Sequence, residues 1–268
     1  MTLRIDGSTR LVPIVGDPIA QVRSPAGLSE AFSAAGRNML VVPAHVAPAD
    51  LEVWFRGQAV ARNVDGIVVT IPHKFAAFRL CRTVSPRARL LEAVNALRRD
   101  PDGSWHGDMF DGLAFVTAAR AAGCRFEGAR VLLVGAGGAG SAIAEAVAAE
   151  RPRVLAIHDA DPHRRDRLMD RLAPLGVALA AGSPDPRGFD AVLNATPLGM
   201  CPSDPLPVDP DGLDPAAFVG CVVTEPEVPP LLAAARARGC RTATGVDMFL
   251  AVRGLIVDFL LGAGGRFR

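Results

Sequence analysis

The feature that most constrains the fold is a glycine-rich turn, GAGGAG, at residues 135–140. The apolar run RVLLV before it predicts a buried strand, and the small-residue stretch SAIAEAVAAE after it predicts a helix. In such a strand–turn–helix unit the first glycine permits the tight turn, the second lets the backbone approach a pyrophosphate, and the third lets helix and strand pack closely. The turn therefore predicts a dinucleotide site at Gly135, Ala136, Gly137, Gly138, Ala139 and Gly140, and a turn without a ligand is the alternative.

The same segment could be taken for a membrane span, because Val131 to Ala149 contains Glu145 as its only charged residue. The cluster of glycines after four strand-like residues favours a strand, a tight turn and a helix instead. We therefore expect no membrane association.

Asp159 lies nineteen residues after Gly140, at the end of RVLAIHD. A carboxylate at this position can accept hydrogen bonds from the adenine ribose hydroxyls and repels a 2′-phosphate, which favours NAD over NADP. Two alternatives stay open. Asp159 could cap the following helix, or Arg164 and Arg165 could bind a 2′-phosphate, in which case the cofactor is NADP. This half of the chain is predicted to belong to a dinucleotide-dependent oxidoreductase.

Strands and helices alternate along the chain, which predicts an α/β fold with mostly parallel sheets. In the first part the predicted strands are LVPIVG, MLVVPAHV, GIVVTI and a hairpin in LEAVNALRRDPDGSWHG, and the predicted helices are SPAGLSEAFSAAG, ADLEVWFRGQAVA and one that starts at Pro72. The strands of the second part are RVLLV, RVLAIHD, FDAVLNATPLG and FVGCVVTEP, with DPHRRDRLMDRLAPLG as a charged helix. We predict one domain at residues 1–112 and a Rossmann-type, doubly wound domain at 113–244, bridged by a helix from Leu113 to Gly123. The segment 245–268, with a helix from Gly245 to Leu261, is expected to pack back on the first domain.

Composition narrows the possible functions. Half of the 268 residues are hydrophobic, enough for a packed core, and a formal net charge of +1 without a basic block argues against nucleic-acid binding. The five cysteines are widely spaced and form no CxxC pair, which favours free thiols in a reducing cytoplasm over disulfides or zinc ligands. The N-terminus lacks the apolar run of a signal peptide, and the five histidines show no metal-ligand spacing. We expect a cytoplasmic protein that binds a small molecule and no metal.

Lys74, in TIPHKF, is one of 29 Lys+Arg residues, and the other 28 are arginine. A guanidinium stays protonated at any working pH, whereas an ammonium can give up its proton when its surroundings lower its pKa. A site that moves a proton can therefore use lysine but not arginine, and chance survival of one lysine is the alternative. Oxidation of an alcohol by a nicotinamide needs such a group, and Asp111 in GDMFDG is a candidate to orient it. We expect His73 to be a surface residue of the same helix, with tuning of Lys74 as its alternative role.

Several motifs, in the same order, resemble those of the shikimate dehydrogenase (shikimate 5-dehydrogenase) family over nearly the whole chain. They are GDPIAQVRSP, DGIVVTIPHK, EAVNAL, HGDMFDG, VGAGGAG, NATPLGM and TGVDMFL. The resemblance implies an N-terminal substrate domain, a C-terminal Rossmann domain, and reversible NAD(P)-dependent oxidation of shikimate to 3-dehydroshikimate or of a related cyclic hydroxy acid. Quinate or another small hydroxy acid is the alternative substrate. A ligand-sensing protein without turnover is the alternative from another class.

The resemblance also implies roles for individual residues. Lys74 and Asp111 would be the catalytic pair, and Ser24, Thr70 and Asn95 would bind the hydroxyls and carboxylate of the cyclic acid. Further residues would line the nicotinamide side of the site: Asn194, Thr196, Met200, Gly245 and Met248. NAD is the preferred cofactor with NADP open, and the protein is expected to be a monomer or a homodimer.

The chain departs from the family pattern where that pattern has polar residues. The departures are Val22, Val68, Met109, Phe110, Thr224 and Val252. At least three of these positions normally supply hydrogen bonds to the substrate, and a buried polar group left without a partner costs about 1–3 kcal/mol. We therefore expect weak or altered activity on shikimate, unless Arg23, Arg253 or Gln21 compensates.

Overall fold

A computed structural model describes residues 5–20 and 22–262. The chain forms two compact units, one made of the residues up to Phe110 together with those from Arg253, and one made of Asp111–Val252. Gln21 and the end of the predicted C-terminal segment, residues 263–268, lie outside the described residues.

The first unit is built on a six-stranded mixed sheet. Its strands are β1 (Arg10–Gly16), β2 (Met39–His45), β3 (Gly66–Val69), β4 (Thr83–Val84), β5 (Ala96–Arg99) and β6 (Trp105–Asp108). Its helices are α1 (Ser24–Ala34), α2 (Leu51–Val60), α3 (Lys74–Phe78) and α4 (Pro86–Leu91). The order across the sheet is β2-β1-β3-β5-β6-β4, with β1, β2 and β3 parallel and β5 antiparallel to both of its neighbours. The carboxyl ends of β1, β2 and β3 therefore lie along one edge of this sheet.

The second unit contains a parallel six-stranded sheet. Its strands are β7 (Arg130–Val134), β8 (Val154–His158), β9 (Leu179–Ala181), β10 (Ala191–Asn194), β11 (Phe218–Cys221) and β12 (Arg241–Ala243). The helices are α5 (Asp111–Ala121), α6 (Gly138–Ala149), α7 (Pro162–Leu172) and α8 (Pro230–Ala237), and α9 (Gly245–Leu261) begins in this unit. The order β12-β11-β10-β7-β8-β9 is that of a doubly wound dinucleotide-binding sheet, in which the strand order reverses between β7 and β10. The predicted α/β class and Rossmann-type sheet are confirmed.

The core of each unit follows from continuous apolar strands. Val12 and Val15 of β1 are fully buried, and so are Val131, Leu132 and Leu133 of β7. Runs without polar alternation are typical of strands that are covered on both faces. The segment proposed as an alternative membrane span is β7 followed by α6. Among the described helices, none has the length and apolarity needed to cross a membrane.

Some local predictions were wrong. The third strand ends at Val69 rather than Ile71, and the following helix begins at Lys74 rather than Pro72. The short elements β4 and α4 were missed, although Ser85-Pro86 repeats the Ser-Pro signal that correctly predicted α1. The elements β9, α8 and β12 were missed as well. Helix α9 is divided between the units: its residues up to Val252 belong to the second unit and those from Arg253 belong to the first.

Candidate active site

The loops that follow β1, β2 and β3 are tied together at one edge of the first sheet. The backbone N–H of Asp17 donates to the carbonyl of Ile71 at 3.0 Å, and that of Val46 donates to the carbonyl of Gly16 at 3.2 Å. The N–H of Thr70 donates to Val15 at 2.9 Å. Parallel strands bring the ends of separate chain segments to one edge, and these bonds fix the loops that carry the predicted site residues.

Lys74 is the first residue of α3 and is 8% exposed. Its backbone carbonyl accepts a hydrogen bond from Val94 N–H at 3.1 Å, which joins the start of α3 to the segment that carries Asn95. Thr70 lies half-buried just beyond the end of β3, and Ser24 is the half-buried first residue of α1. The sheet therefore brings the loops of Thr70, Lys74 and Asn95 together, and the roles of these residues stay predictions.

His73 is buried, with 1% of its surface exposed, so the expectation that it is a surface residue was wrong. Its ring Nε2 lies 2.8 Å from the carbonyl oxygen of Val46. The prediction placed His73 on the surface of a helix that begins at Pro72. The chain instead makes a turn before Lys74 that directs the imidazole inward, and the sequence carried no signal for this contact.

Asn95, 3% exposed, precedes β5 and is held on both its main chain and its side chain. Its N–H donates to the Asp108 carbonyl at 2.9 Å, and its carbonyl accepts from Val69 N–H at 2.8 Å. Its side-chain Oδ1 accepts from Phe110 N–H at 3.0 Å. Because the atom that faces an N–H must be the oxygen, this bond fixes the orientation of the amide and identifies Nδ2 as its donor end.

Asp111 is the first residue of α5, 6% exposed, and belongs to the second unit. A carboxylate in the first turn of a helix is stabilised by the positive end of the helix dipole. Lys74 belongs to the first unit, so the pairing of these two side chains stays a prediction.

Three of the apolar departures from the family pattern are buried in the first unit. Val68 in β3, Met109 and Phe110 have side chains that are all buried. Val68 pairs with Ile14 of β1 and Ala96 of β5. Side chains buried in this way offer packing surface and no hydrogen bonds, so the family's polar contacts at these positions are absent from this chain.

The glycine-rich turn has the geometry its sequence predicted. Gly135 has φ +104°, which favours glycine, and a side chain on Gly140 would overlap the carbonyl of Gly135. A Cβ on Gly137, the residue before α6, would meet nothing within 4 Å. The backbone at Gly137 therefore offers an open cradle at the amino end of a twelve-residue helix, as a pyrophosphate requires.

Asp159 follows β8 and is 8% exposed. Its Oδ2 accepts from Ala136 N–H at 2.7 Å, and its Oδ1 accepts from Asp161 N–H at 2.8 Å. The side chain that caps α7 is Asp161, which accepts from His163 N–H at 3.0 Å, so the capping alternative for Asp159 was wrong. Asp159 instead joins the glycine turn to the end of β8.

Arg164 and Arg165, the residues considered for a 2′-phosphate, both lie near carboxylates. Arg164 Nη1 is 3.6 Å from Asp159 Oδ1, and Arg165 Nε is 2.8 Å from Asp166 Oδ1. The hydrogen bond from Arg165 lowers the pKa of the exposed Asp166 carboxyl. Each of the two guanidinium groups therefore lies beside a carboxylate of the second unit.

Asn194 and Thr196 shape the turn after β10. Asn194 is 1% exposed, and its Oδ1 accepts from the N–H and the hydroxyl of Thr196 at 3.0 and 2.6 Å. Its Nδ2 donates to the carbonyl of Leu198 at 3.3 Å. These bonds hold the loop at the point where the strand order reverses, so both residues have a structural role, and contact with a nicotinamide stays a prediction.

The remaining predicted cofactor residues lie in the second unit. Met200 packs against its core, Gly245 begins α9 close to the carbonyls of Val222 and Val223, and Met248 is 9% exposed in the first turns of that helix. Among the described residues, no group of three His, Cys, Asp or Glu side chains could hold a metal ion.

These features define a class: a two-unit α/β protein with a doubly wound dinucleotide-binding sheet in one unit and a buried lysine at a strand edge of the other. The family profile for the shikimate dehydrogenase substrate binding domain matches residues 14–97. Shikimate dehydrogenase (NADP(+)) of Rubrobacter xylanophilus is 37% identical over 258 residues, 92% of this chain and 89% of that protein. The chain belongs to the shikimate dehydrogenase family.

Two solved structures have the same fold over almost their whole length. Shikimate 5-dehydrogenase from Listeria monocytogenes, in complex with shikimate and NAD, has a TM-score of 0.85 at 27% identity and covers 97% of this chain and 94% of its own. Quinate dehydrogenase from Corynebacterium glutamicum, in complex with NAD, has a TM-score of 0.85 at 28% identity and covers 96% and 95%.

Proposed function

We propose that the protein is an NAD(P)-dependent oxidoreductase that reversibly oxidises a ring hydroxyl of shikimate, giving 3-dehydroshikimate, or of a related cyclic hydroxy acid. The observation that carries the proposal is the chain's single lysine, which is buried at the start of α3 and hydrogen-bonded through its backbone to the segment of Asn95. A family relative that is named shikimate dehydrogenase supports the substrate class.

Oxidation removes a hydride from the carbon of the alcohol and a proton from its hydroxyl. A nicotinamide bound at the glycine-rich turn would supply the acceptor for that hydride. Lys74 takes the hydroxyl proton on its neutral amine, and in the reverse direction its ammonium returns that proton to the carbonyl oxygen. From the family resemblance we assign to Asp111 the orientation of Lys74 and the stabilisation of its ammonium, and this pairing is part of the proposal. Arginine at position 74 would hold its proton throughout and could not perform this step.

The substrate is held by groups that the first unit supplies. Asn95 donates from Nδ2, since its Oδ1 is engaged by Phe110 N–H. The hydroxyls of Ser24 and Thr70 can donate or accept, which suits both the hydroxyls and the carboxylate of a cyclic acid.

Substrate preference is proposed to be shifted away from shikimate itself. Val68, Met109 and Phe110 are buried apolar residues where the family pattern has polar ones, and Val22, Thr224 and Val252 add to the change. Loss of two or three hydrogen bonds to a buried ligand, at about 1–3 kcal/mol each, weakens binding by orders of magnitude. Weak turnover of shikimate is expected. A cyclic acid with fewer polar substituents than shikimate is expected to have a higher kcat/KM.

The cofactor is proposed to be NAD. The carboxylates of Asp159 and Asp161 stand together after β8, and both lie within 4 Å of Arg164, at 3.6 and 3.9 Å. Negative charge at this position repels a 2′-phosphate, and the nearest arginine already faces two carboxylates. The Listeria and Corynebacterium structures contain NAD, whereas the name of the Rubrobacter relative carries NADP(+), which favours the other cofactor.

The test is the initial rate of NADH and NADPH formation by the purified protein, with shikimate and quinate measured side by side. Lys74→Ala and Lys74→Arg are both expected to reduce kcat by about 10²–10⁴-fold, the usual contribution of a general acid–base group. Arg79→Ala, at an exposed position just after α3, is the matched control and should keep its activity.

The outcomes separate the alternatives. Turnover of shikimate or quinate that survives Lys74→Arg would disprove the role of Lys74. Tight NADH binding without turnover of a panel of cyclic and acyclic hydroxy acids would favour the ligand-sensing alternative. A higher kcat/KM with NADP than with NAD would disprove the cofactor proposal while leaving the reaction intact. The choice between monomer and homodimer stays a prediction, for which sedimentation analysis is the measurement.

A further inference from the structure

A partly buried ion pair lies next to the segment that leads to the proposed catalytic aspartate. Asp108, at the end of β6, is 7% exposed and accepts from Arg87 Nε at 2.8 Å and from Arg87 Nη2 at 2.6 Å. The same carboxylate accepts from the Ser85 hydroxyl and, at 2.7 Å, from Met109 N–H. A two-pronged contact of this kind fixes the orientation of both planar groups.

The guanidinium of Arg87 also covers the ring of Phe110, with 4.9 Å from Cζ to the ring centroid. The Phe110 ring in turn lies 5.2 Å, between centroids, from the ring of Phe259 in α9. Both of these contacts are within the first unit. Phe110 is thus held through its ring by Arg87 and Phe259, and the next residue in the chain is Asp111.

The same short segment holds Asn95. The Asp108 carbonyl accepts from Asn95 N–H at 2.9 Å, and Phe110 N–H donates to Asn95 Oδ1 at 3.0 Å. Arg87 therefore contacts the two residues, Asp108 and Phe110, whose backbones fix the main chain and the amide orientation of Asn95. If Arg87 moved, Asp108 and Phe110 would lose these contacts, and both the main chain and the amide of Asn95 would be less firmly held.

We infer that Arg87 is a positioning residue, which acts through Asp108 and Phe110 to orient Asn95 and the start of the segment at Asp111. This inference rests on the proposed function, because it assigns Arg87 to the same site. Arg87 lies in α4 and takes no part in proton or hydride transfer. Its contribution is to hold the donor Nδ2 of Asn95 in one orientation, since a small misplacement of a binding group is costly in rate.

The first unit offers a matched control pair. Arg10 makes a two-pronged contact with Asp65 through Nε, at 2.9 Å, and Nη2. The side chains of Asp65 and Asp108 are 12% and 9% exposed, and those of Arg10 and Arg87 are 41% and 27% exposed. Arg10 begins β1 and Asp65 precedes β3, so this pair lies at the opposite ends of those strands from the loops of Ser24 and Thr70.

The experiment compares Arg87→Met with Arg10→Met in the full chain. Both variants lose an ion pair and are expected to melt at a lower temperature. Arg87→Met is expected to lower kcat for the best substrate of the panel by about tenfold or more, with the KM for the dinucleotide unchanged. Arg10→Met should keep kcat within about twofold at a temperature where both are folded. Arg87→Lys keeps the charge without the planar fork, and is expected to recover more of the melting temperature than of kcat.

A second measurement does not depend on turnover. Amide hydrogen exchange of Phe110 N–H, the donor to Asn95, is expected to accelerate in Arg87→Met and to stay as in the original protein in Arg10→Met. Equal kcat in the two variants, or unchanged exchange at Phe110 in Arg87→Met, would overturn the inference. If the unsubstituted protein oxidises no acid, the proposed function fails, and the exchange comparison still decides whether Arg87 holds Asn95.

Discussion

The imidazole Nε2 of His73 donates a hydrogen bond to the carbonyl oxygen of Val46 across 2.8 Å. A carbonyl can only accept, so Nε2 carries a proton. His73 N–H also donates to the carbonyl of Thr70 at 3.0 Å. The residue before Lys74 is thereby attached to the ends of β2 and β3, and the position of Lys74 depends on this buried ring.

Replacement of His73 by phenylalanine is expected to fill the same space and remove the donor. The half-buried Val46 carbonyl would lose this partner, at a cost of up to about 1–3 kcal/mol, and the turn before Lys74 would shift. We expect a lower free energy of unfolding in urea and a lower kcat. His163→Phe, at an exposed position of α7, is the control, and equal effects of the two substitutions would contradict the assignment.

The glycines of the turn after β7 are predicted to differ in what they contribute. Gly140→Ala would place a methyl group against the Gly135 carbonyl, and such overpacking costs about 1–3 kcal/mol of stability. Gly137→Ala meets no atom within 4 Å and should keep the melting temperature, but its methyl group would stand where a pyrophosphate approaches. Thermal melts and NADH fluorescence titrations test both, and a stable Gly140→Ala variant would disprove the packing argument.

Stability is expected to fall with rising pH above about 9. Burial raises the pKa of the Cys81 and Cys124 thiols from 9.0 to about 12. Between these values the unfolded thiols ionise and the folded ones do not, so the unfolded state binds fewer protons and is favoured as the pH rises. Each such thiol contributes about 1.4 kcal/mol per pH unit in this window.

The chain suits this measurement because it has no tyrosine and one lysine, so few other side chains titrate in that range. Urea unfolding under reducing conditions at several pH values from 8 to about 11 gives the slope of the free energy of unfolding against pH. Cys81→Ala is expected to reduce it. A free energy of unfolding that is constant across this range would rule out the burial effect.

Thiol reactivity should follow exposure. Cys201 is exposed, whereas Cys124, Cys221 and Cys240 are buried and Cys81 is half-buried, and all five are free. We expect one thiol to react rapidly with an aromatic disulfide reagent in the folded protein and five in denaturant. Cys201→Ser should abolish the rapid reaction, and its persistence would show that another thiol is accessible.

Local patterns were sufficient for much of the fold. The glycine turn and its flanking apolar and small-residue runs predicted β7 and α6. The position of Asp159, at the end of the next strand, followed from its spacing to Gly140. The unique lysine was identified from composition alone. In each case the information lies within about thirty consecutive residues, because strand, turn and helix signals are local.

Contacts between distant segments could not be read in this way. His73 reaches Val46, Arg87 reaches Asp108 and Phe110, and Ala136 reaches Asp159, each across at least twenty residues. The same signal that predicted α1 was present at α4, but a helix of six residues gains its stability from packing rather than from its own sequence. The residues that bear the chemistry are local in sequence, whereas the hydrogen bonds and ring contacts that orient them exist only once the sheet has brought its strand ends together.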